Sequence, residues 1–312
     1  MHCLVTGASG FLGSHLVRKL VDEGHEVAAL VRASSDLWRI QPVVNHVRFI
    51  YSSLADIPTA ANAIADFRPD TVFHLAWTGG NSSKFANDDA QIFDNIPGSL
   101  NLLRIAHQAG ASRFVYLGST VEYGTYQIPV RETDIPQPFN LYGQAKLAVM
   151  RLSEALCAQY GMKFAGVRLF WAYGPMDDKL RMIPSVITKL LNRERPSLTA
   201  GTQIWDFLYV EDAVRALLAL ASCQYDSSIF NLGSGVPVSI RDVVLQIRKQ
   251  IDPSLEIGFG EVPFAPNQVM HLEADISRLK AATGWVPQTS LQDGIRRTVE
   301  WYRSQGEHFD RN

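Results

Sequence analysis

The chain has 312 residues, which is enough for one large domain or two modest ones. Its 46% hydrophobic and 19% charged residues are typical of a globular protein. The formal charge of -2, from 29 basic and 31 acidic side chains, argues against a broad nucleic-acid-binding surface, so no nucleic acid polymer is expected as a partner.

The first half of the chain alternates short apolar runs with segments of helical pattern. The predicted strands are Cys3–Thr6, Glu26–Val31, Val47–Tyr51, Thr71–Leu75, Arg113–Leu117 and Lys163–Arg168. The predicted helices are Ser14–Asp22, Ala60–Asp66, Ile96–Gln108 and Tyr142–Gln159. This alternation indicates βαβ units and a parallel sheet.

The pattern changes after Gly174-Pro175. Strands are predicted at Phe207–Val210, Ile229–Leu232 and Glu256–Gly258, and helices at Pro184–Asn192, Asp212–Ala221, Ile240–Gln250 and Leu291–Tyr302. The whole pattern predicts an α/β protein: a Rossmann-type doubly wound parallel sheet with a smaller mixed α/β C-terminal domain.

The three cysteines, Cys3, Cys157 and Cys223, are far apart and odd in number. They predict neither a disulfide framework nor a metal site, and they favour a reducing compartment. The chain starts directly with Cys3-Leu4-Val5, without a charged leader, and no apolar run reaches membrane-spanning length. We therefore expect a soluble cytoplasmic protein with no membrane partner.

A glycine-rich turn follows the first predicted strand and precedes a helix, in the run Thr6-Gly7-Ala8-Ser9-Gly10-Phe11-Leu12-Gly13. Glycines let the backbone turn sharply and approach a pyrophosphate, while the helix N-terminus supplies amide hydrogens and a positive dipole end. In this position the turn predicts dinucleotide binding, with these candidate cofactor residues: Gly7, Gly10, Phe11, Leu12 and Gly13.

The second strand ends without the carboxylate that usually binds the adenosine ribose. Arg32 stands there, followed by Ala33-Ser34-Ser35. Arg32, with the nearby hydroxyl of Ser34, is suited to a 2′-phosphate, so we expect NADP(H) rather than NAD(H). The alternative is that Arg32 is an ordinary solvated arginine.

Tyr142 and Lys146 are spaced i and i+4, which places them on one face of a helix. A nearby ammonium stabilises a phenolate, so Tyr142 is expected to exchange a proton at neutral pH, and Lys146 can also hold the nicotinamide ribose. Ser119 stands upstream at the end of a predicted strand, where its hydroxyl can bind a substrate oxygen.

These residues and several further motifs resemble the extended short-chain dehydrogenase/reductase family of nucleotide-sugar epimerases, dehydratases and reductases. The further motifs are His74-Leu75-Ala76, the run Asn95–Leu103, Arg168–Pro175, Asp206–Asp212, Phe230–Gly235 and Gly284-Trp285-Val286-Pro287.

The resemblance covers nearly the whole chain and implies Ser119, Tyr142 and Lys146 as catalytic residues. It also implies cofactor contacts at Leu75 and Ala76. Asn95 either supports the catalytic residues or is a buried helix-packing amide. The family further implies a homodimer, an NADP-binding domain of residues 1–170 and 203–233, and a substrate-binding domain of residues 171–202 and 234–312.

The residues after Ser119 argue against dehydration. Sugar 4,6-dehydratases carry an Asp-Glu pair where this chain has Thr120 and Val121, and Glu122 comes one place late. In extended backbone a one-residue slip reverses the direction of a side chain. The similar GDP-fucose synthase epimerises through a cysteine and a histidine, whose positions hold Val121 and Arg181 here.

The substrate side departs from the family in two places. Trp205 replaces an arginine that usually grips a substrate phosphate, and Ala265 and Asn267 flank Pro266 where a second arginine is usual. The possible substitutes are Arg181, Arg193, Arg195 and Arg241. Substrate contacts are expected at Trp77, Thr120, Val121, Trp171, Arg181 and Trp205, although the tryptophans could equally be packing residues.

What remains is hydride transfer. The segment Tyr173–Lys179 is also similar to CDP-hexulose reductases. The leading hypothesis is therefore an NADPH-dependent reductase of 4-keto nucleotide sugars, acting through Ser119, Tyr142 and Lys146. The second hypothesis is a nucleotide-sugar 4-epimerase that keeps its NAD(P) tightly bound. The third is a non-catalytic NADP(H)-binding regulator, which would need none of these three residues.

Overall fold

A computed structural model describes residues 1–79, 85–124, 128–265 and 268–305. The strands of this part of the chain are β1 (His2–Thr6), β2 (Glu26–Val31), β3 (Val47–Tyr51), β4 (Thr71–His74), β5 (Arg113–Ser119), β6 (Lys163–Leu169), β7 (Trp171–Tyr173), β8 (Ser197–Leu198), β9 (Ile204–Tyr209), β10 (Ser228–Leu232), β11 (Pro237–Ser239), β12 (Gly258–Phe259) and β13 (His271–Leu272).

The α-helices of the same part are α1 (Phe11–Asp22), α2 (Ala61–Phe67), α3 (Ala90–Phe93), α4 (Asn95–Gln108), α5 (Leu141–Tyr160), α6 (Met182–Leu191), α7 (Val210–Ser222), α8 (Ile240–Ile251), α9 (Ser277–Thr283) and α10 (Leu291–Gln305). Short 3₁₀ helices cover Trp38–His46, Ile57–Ala60 and Thr120–Glu122.

Seven parallel strands form the main sheet in the order β10-β6-β5-β4-β1-β2-β3. The direction of the winding reverses between β1 and β4, and in such sheets ligands bind outside the carboxyl ends of the strands at this switch point. The predicted doubly wound parallel sheet is confirmed.

Both faces of this sheet are covered, which explains why its strands are continuous apolar runs. On one face, Leu16 of α1 and Leu217 of α7 pack against Val5 and Val115. On the other face, helices α2, α4 and α5 pack over a second buried cluster that includes Leu102 and Val149.

A smaller C-terminal domain contains a mixed sheet. In it β9 pairs with β7 and β13 in parallel and with β11 antiparallel. Helices α6, α8 and α10 enclose a separate core against this sheet. The division of the chain into residues 1–170 with 203–233 and residues 171–202 with 234–312 stays a prediction, and β9, within the first set, lies in the small sheet.

Several predicted bounds need correction here. The strand predicted at Phe207–Val210 begins earlier, at Ile204, and ends at Tyr209, while Val210 opens α7. The strand predicted at Glu256–Gly258 is the short β12, which starts at Gly258 and pairs with β8. Two-residue strands carry too little hydrophobic alternation for a sequence pattern to place them.

No disulfide joins the three cysteines, all of which lie in the described ranges. Among the helices described, none is long and apolar enough to cross a membrane.

Candidate active site

The glycine turn lies at the carboxyl end of β1, next to the switch point. Gly7 has a left-handed φ of 68°, which favours glycine. A Cβ on Gly7 would lie 2.8 Å from the amide nitrogen of Ala76, and a Cβ on Gly13 would collide with the carbonyl oxygen of Gly7. The turn is thus packed so tightly that only glycine fits at these positions.

Helix α1 starts directly after this turn, and Gly10 is its N-cap. Within the described residues no side chain caps α1, so the first-turn amides, which include Phe11, Leu12 and Gly13, remain available for an anion. The turn and the helix start therefore fit a dinucleotide pyrophosphate.

The turn after β4 is tied to the glycine turn. The imidazole of His74 hydrogen-bonds the hydroxyls of Thr6 and Ser99, both at 2.8 Å. Burial lowers the pKa of His74 to about 3, so the ring is neutral. The amide of Ala76 donates to the Thr6 hydroxyl at 3.1 Å, which places the predicted cofactor residues Leu75 and Ala76 against Gly7.

Arg32 and Ser34 lie exposed at the end of β2. The local turn is closed by hydrogen bonds between Arg32 and Ser35: the Arg32 amide donates to the Ser35 hydroxyl, and the Ser35 amide donates to the Arg32 carbonyl. The side chains of Arg32 and Ser34 are thus exposed after β2, and their predicted contact with a 2′-phosphate stays a prediction.

Ser119 ends β5 and caps the 3₁₀ helix that follows. Its hydroxyl accepts a hydrogen bond from the Val121 amide at 3.3 Å, and its own amide donates to the Glu122 carboxylate at 2.8 Å. Helix α5 starts beside this turn, since a Cβ on Gly143 would lie 2.9 Å from the Val121 carbonyl oxygen. The close approach at Gly143 brings Tyr142 next to Ser119.

Tyr142 lies between Ser119, Trp77 and Arg181. Burial raises the pKa of Tyr142, while a hydrogen bond with the Ser119 side chain and the charge of Arg181 act in the opposite direction. The sequence predicts that the Lys146 ammonium stabilises the Tyr142 phenolate, but in the structure the net shift of the Tyr142 pKa is upward. Desolvation of the phenolate outweighs the favourable contacts.

Lys146 lies one turn after Tyr142 and is almost completely buried, with 4% of its surface exposed. Its Nζ donates to the Leu117 carbonyl at 2.8 Å and lies 3.9 Å from the centre of the Trp77 ring. Burial lowers the pKa of Lys146 to about 7. When it is protonated, the Lys146 ammonium contacts the Leu117 carbonyl and the face of the Trp77 ring.

Glu122 is held by Arg168 on β6. The two side chains are fully buried, and the Arg168 Nε donates to the Glu122 carboxylate at 2.9 Å. Burial raises the pKa of Glu122, against the charge of Arg168. A carboxylate committed to this ion pair and to the Ser119 amide stabilises the turn, which agrees with the argument that Glu122 does not replace a dehydratase acid.

Asn95 holds the backbone beside Trp77. Its Oδ1 accepts from the Thr78 amide at 2.8 Å and its Nδ2 donates to the Thr78 carbonyl at 3.1 Å. Trp77 itself donates to Gln91 at 2.7 Å and meets the Tyr142 ring edge to face. Asn95 is fully buried, so it serves as a packing amide that fixes Trp77 over Lys146.

A second aromatic group comes together from β7 and β9. The rings of Trp171 and Trp205 lie 4.6 Å apart, and the guanidinium of Arg181 lies 4.6 Å from the centre of the Trp171 ring. Arg181 also pairs with Asp177 at 3.5 Å and has 34% of its side chain exposed. The structure thus joins three of the predicted substrate residues and connects them through Arg181 to Tyr142.

The other candidate arginines are engaged elsewhere. Arg193 pairs with Asp252, Arg195 with Glu256 and Glu261, and Arg241 lies over the Phe259 ring. Ala265 is exposed, while Pro266 and Asn267 lie outside the described residues. Thr120 and Val121 are partly buried in the 3₁₀ helix after Ser119.

Two residues of this region are missing from the sequence prediction. Asp177 is 2% exposed, and burial raises its pKa to about 6. Its i,i+4 spacing from Arg181 is visible in the sequence and could have indicated the ion pair between them. Arg39 contacts both Ser9 and Met176 through its side chain, and no sequence pattern indicates those contacts.

Known proteins with similar sequences indicate the family of this chain. Residues 3–233 match the model of the NAD dependent epimerase/dehydratase family. The dTDP-glucose 4,6-dehydratase 1 of Escherichia coli is 28% identical, and the alignment covers 99% of this chain and 95% of that protein.

Several solved structures are similar over almost the whole chain, and two of them illustrate the similarity. The UDP-glucose 4-epimerase of Thermotoga maritima with UDP-glucose is 28% identical with a TM-score of 0.89, over 98% of this chain and 99% of that one. MoeE5 in complex with UDP-glucuronic acid and NAD is 30% identical with a TM-score of 0.80, over 97% of this chain and 99% of that one. The chain therefore belongs to the NAD dependent epimerase/dehydratase family and is an NAD(P)-dependent enzyme of the extended short-chain dehydrogenase/reductase type.

Proposed function

We propose that the protein is a nucleotide-sugar 4-epimerase that keeps its NAD(P) tightly bound. The placement of Tyr142 beside Ser119, with Lys146 one turn further along α5, is the observation that carries this proposal. Similarity to a 4-epimerase solved with UDP-glucose supports a nucleotide sugar as the substrate.

The side chains have separate tasks in this reaction. Tyr142, in its phenolate form, would take the proton from the sugar 4-hydroxyl and, as the phenol, return it after the sugar has turned over, and Ser119 would hydrogen-bond the same oxygen. Lys146 would hold the hydroxyls of the nicotinamide ribose. When bound, NAD(P) would supply acceptance and return of a hydride at carbon 4. The raised pKa of Tyr142 keeps the phenol protonated, which is the form that can donate to oxygen 4, and makes its phenolate the stronger base.

Arg181 is our proposed ligand for the negative charge of the substrate. It is the candidate arginine whose charge acts on Tyr142, and it is partly exposed above Trp171. Trp171 and Trp205 would then form an apolar platform for the face of a sugar or a base. This arrangement would compensate for the missing arginine at position 205.

The second candidate is a 4-ketoreductase that uses NADPH, the leading hypothesis from the sequence. The exposed Arg32 beside Ser34 favours it, because a site for the 2′-phosphate of NADPH suits an enzyme that consumes the reduced cofactor. The relatives favour the epimerase, since they are named as epimerases and dehydratases. The membership of the chain in a family of enzymes also argues against the third hypothesis, a non-catalytic NADP(H)-binding regulator.

The two candidates differ in what happens to the cofactor. We would release and quantify the dinucleotide of the purified protein, then supply UDP-glucose and UDP-glucuronate without added cofactor. An epimerase yields the 4-epimer with no net redox change. Oxidation of one NADPH for each 4-keto sugar reduced, with no epimer formed, would replace the proposal by the reductase.

A reaction in deuterated water distinguishes the 4-epimerase and the 4-ketoreductase from an enzyme that removes protons at sugar carbons 3 or 5. Neither a valine side chain nor a guanidinium is suited to remove a proton from carbon, and these side chains stand at positions 121 and 181, so we expect no enzyme-dependent deuterium at sugar carbons 3 or 5. Deuterium at either carbon would show an acid–base pair that the described site does not contain.

A further inference from the structure

Three consecutive backbone carbonyls, those of residues 175–177, are each bound by a side chain from a different part of the fold. We call residues 175–177 the strap. The Pro175 carbonyl accepts a hydrogen bond from His15 Nε2 at 2.9 Å. The Met176 carbonyl accepts one from Arg39 Nε, and the Asp177 carbonyl accepts one from the Tyr302 hydroxyl, both also at 2.9 Å. His15 lies on α1, Arg39 on the 3₁₀ helix after β2, and Tyr302 on α10.

The strap has an unusual backbone. Met176 has a φ of 65°, in the left-handed region that favours glycine, although its side chain is 2% exposed. A non-glycine residue keeps such a conformation only where its surroundings hold it. The three side-chain hydrogen bonds to the strap provide this restraint.

Arg39 connects the strap to the glycine turn. Besides the bond from its Nε to the Met176 carbonyl, its Nη1 donates to the Ser9 carbonyl at 3.4 Å. The guanidinium also lies over the ring of Trp38, 4.5 Å from its centre. The planar donor fork of arginine can span two acceptors in this way, whereas an ammonium is a compact point charge.

The strap in turn leads to Arg181. The Asp177 carboxylate accepts from the Asp178 amide at 2.8 Å and pairs with Arg181 at 3.5 Å. Arg181 lies over Trp171, and its charge acts on Tyr142. A continuous series of contacts thus runs from Ser9 through Arg39 and the strap to the substrate side of the active site.

We propose that Arg39 and His15 are positioning residues that connect the glycine turn to the strap, so that a dinucleotide bound at the turn fixes the position of Arg181. The proposal rests on the cofactor role of the turn that the proposed function assigns. It predicts thermodynamic coupling between the two sides of the site, which neither the catalytic residues nor the family assignment requires.

Hydrogen exchange measures this coupling without turnover. Protein freed of its dinucleotide is compared with protein saturated with NAD⁺ or NADP⁺, and exchange is followed in the peptides covering residues 5–16 and 174–185. In the wild type, the dinucleotide should slow exchange in both peptides, by at least about 5-fold in the second. In Arg39→Met the first peptide should still be protected, while the slowing of the second should fall to less than about 2-fold.

Three further variants make the test specific. Arg39→Lys keeps the charge but cannot span both carbonyls, so it should lose the coupling as Arg39→Met does. His15→Phe keeps the ring contact with Phe11 and removes the donor to Pro175, which tests the strap even if Arg39→Met does not fold. Arg48→Met, at an exposed position of β3, should behave as the wild type.

Wild-type coupling in Arg39→Met and His15→Phe, or an unprotected strap in the wild type although the turn is protected, would overturn the proposal. Absence of protection at the turn with either dinucleotide would overturn it together with the cofactor assignment. Coupling in a protein that does not epimerise nucleotide sugars would contradict the proposed function alone.

Discussion

Burial decides the protonation of the two candidate catalytic residues on α5. It raises the pKa of Tyr142 and lowers that of Lys146 to about 7, so that both shifts favour the neutral side chain. Their i,i+4 spacing is readable in the sequence, but the direction of these shifts is not. Desolvation depends on Trp77 and β5, which pack over the pair from elsewhere in the chain.

Replacing Tyr142 by phenylalanine removes the proposed acid and little else. We expect Tyr142→Phe to lower kcat by about 10²–10⁴-fold, which is typical for the loss of a positioned proton donor. Dinucleotide affinity, measured by fluorescence titration, should stay nearly unchanged. Tyr51→Phe, at a side chain that is 60% exposed, is the matched control. Near-normal turnover of Tyr142→Phe would contradict the mechanism.

Arg32 is expected to determine the choice of cofactor. An arginine fork pairs with a 2′-phosphate, so NADPH should bind more tightly than NADH, and Arg32→Asp should reverse the preference. Titration of both dinucleotides against both proteins measures this. Arg48→Asp, which changes the same charge on neighbouring strand β3, should keep the wild-type preference. Equal affinities in the wild type would remove the argument for NADP(H).

The 3₁₀ helix after β5 depends on a contact with another strand. Glu122 accepts from the Ser119 amide in its own turn and from Arg168 on β6. Because the turn starts at Ser119, the ion pair holds the candidate catalytic hydroxyl in place. The sequence shows Glu122 only as a carboxylate one place too late for dehydration, and its partner lies 46 residues away.

Removing one charge of this pair should destabilise the fold strongly. We expect Glu122→Gln to lower the free energy of unfolding by about 3–5 kcal/mol, since it leaves the Arg168 charge buried without its partner. The exposed pair of Arg151 and Glu154 supplies the control, and Glu154→Gln should cost about 0–1 kcal/mol. Urea denaturation of the three proteins compares these values. Equal losses in both variants would show that the buried pair contributes no more than a surface pair.

Elements with a long apolar pattern follow from the sequence, whereas short ones do not. The strands Glu26–Val31 and Val47–Tyr51 have the predicted bounds, and α5 differs from its prediction by one residue at each end. The strands β7, β11 and β13, which have two or three residues, are absent from the prediction. They are strands only because β9 offers them hydrogen-bonding partners.

The stability of the whole molecule should depend on pH through Lys146. Unfolded, this lysine has its ordinary pKa of 10.5, and in the fold burial lowers the pKa to about 7. Between these values the unfolded state binds more protons, so the contribution of Lys146 to the free energy of unfolding rises with pH. Below about pH 7 the lysine is protonated in both states, and the fold bears the cost of a buried charge.

Lys146→Met removes this dependence. The difference in the free energy of unfolding, wild type minus variant, should increase from pH 7 to pH 9, because above about pH 7 folded Lys146 is deprotonated while the unfolded lysine still binds its proton. Chemical denaturation at several pH values gives the difference directly. Lys280→Met, at an exposed position, should show a constant difference. A constant difference for Lys146→Met would mean that the buried side chain stays protonated across this range.

By itself the sequence determines the parallel sheet, the glycine turn and the set of Ser119, Tyr142 and Lys146, because each rests on local periodicity or spacing. Tertiary structure alone decides that Arg181 lies over Trp171, that Asn95 fixes the turn beside Trp77 and that Arg39 bridges Ser9 and Met176. The Arg39 contacts with Ser9 and Met176 span 30 and 137 residues, and the Asn95 contact with the Thr78 amide spans 17. The bridge made by Arg39 depends on how residues 175–177 pack against the glycine turn, and no local pattern carries that information.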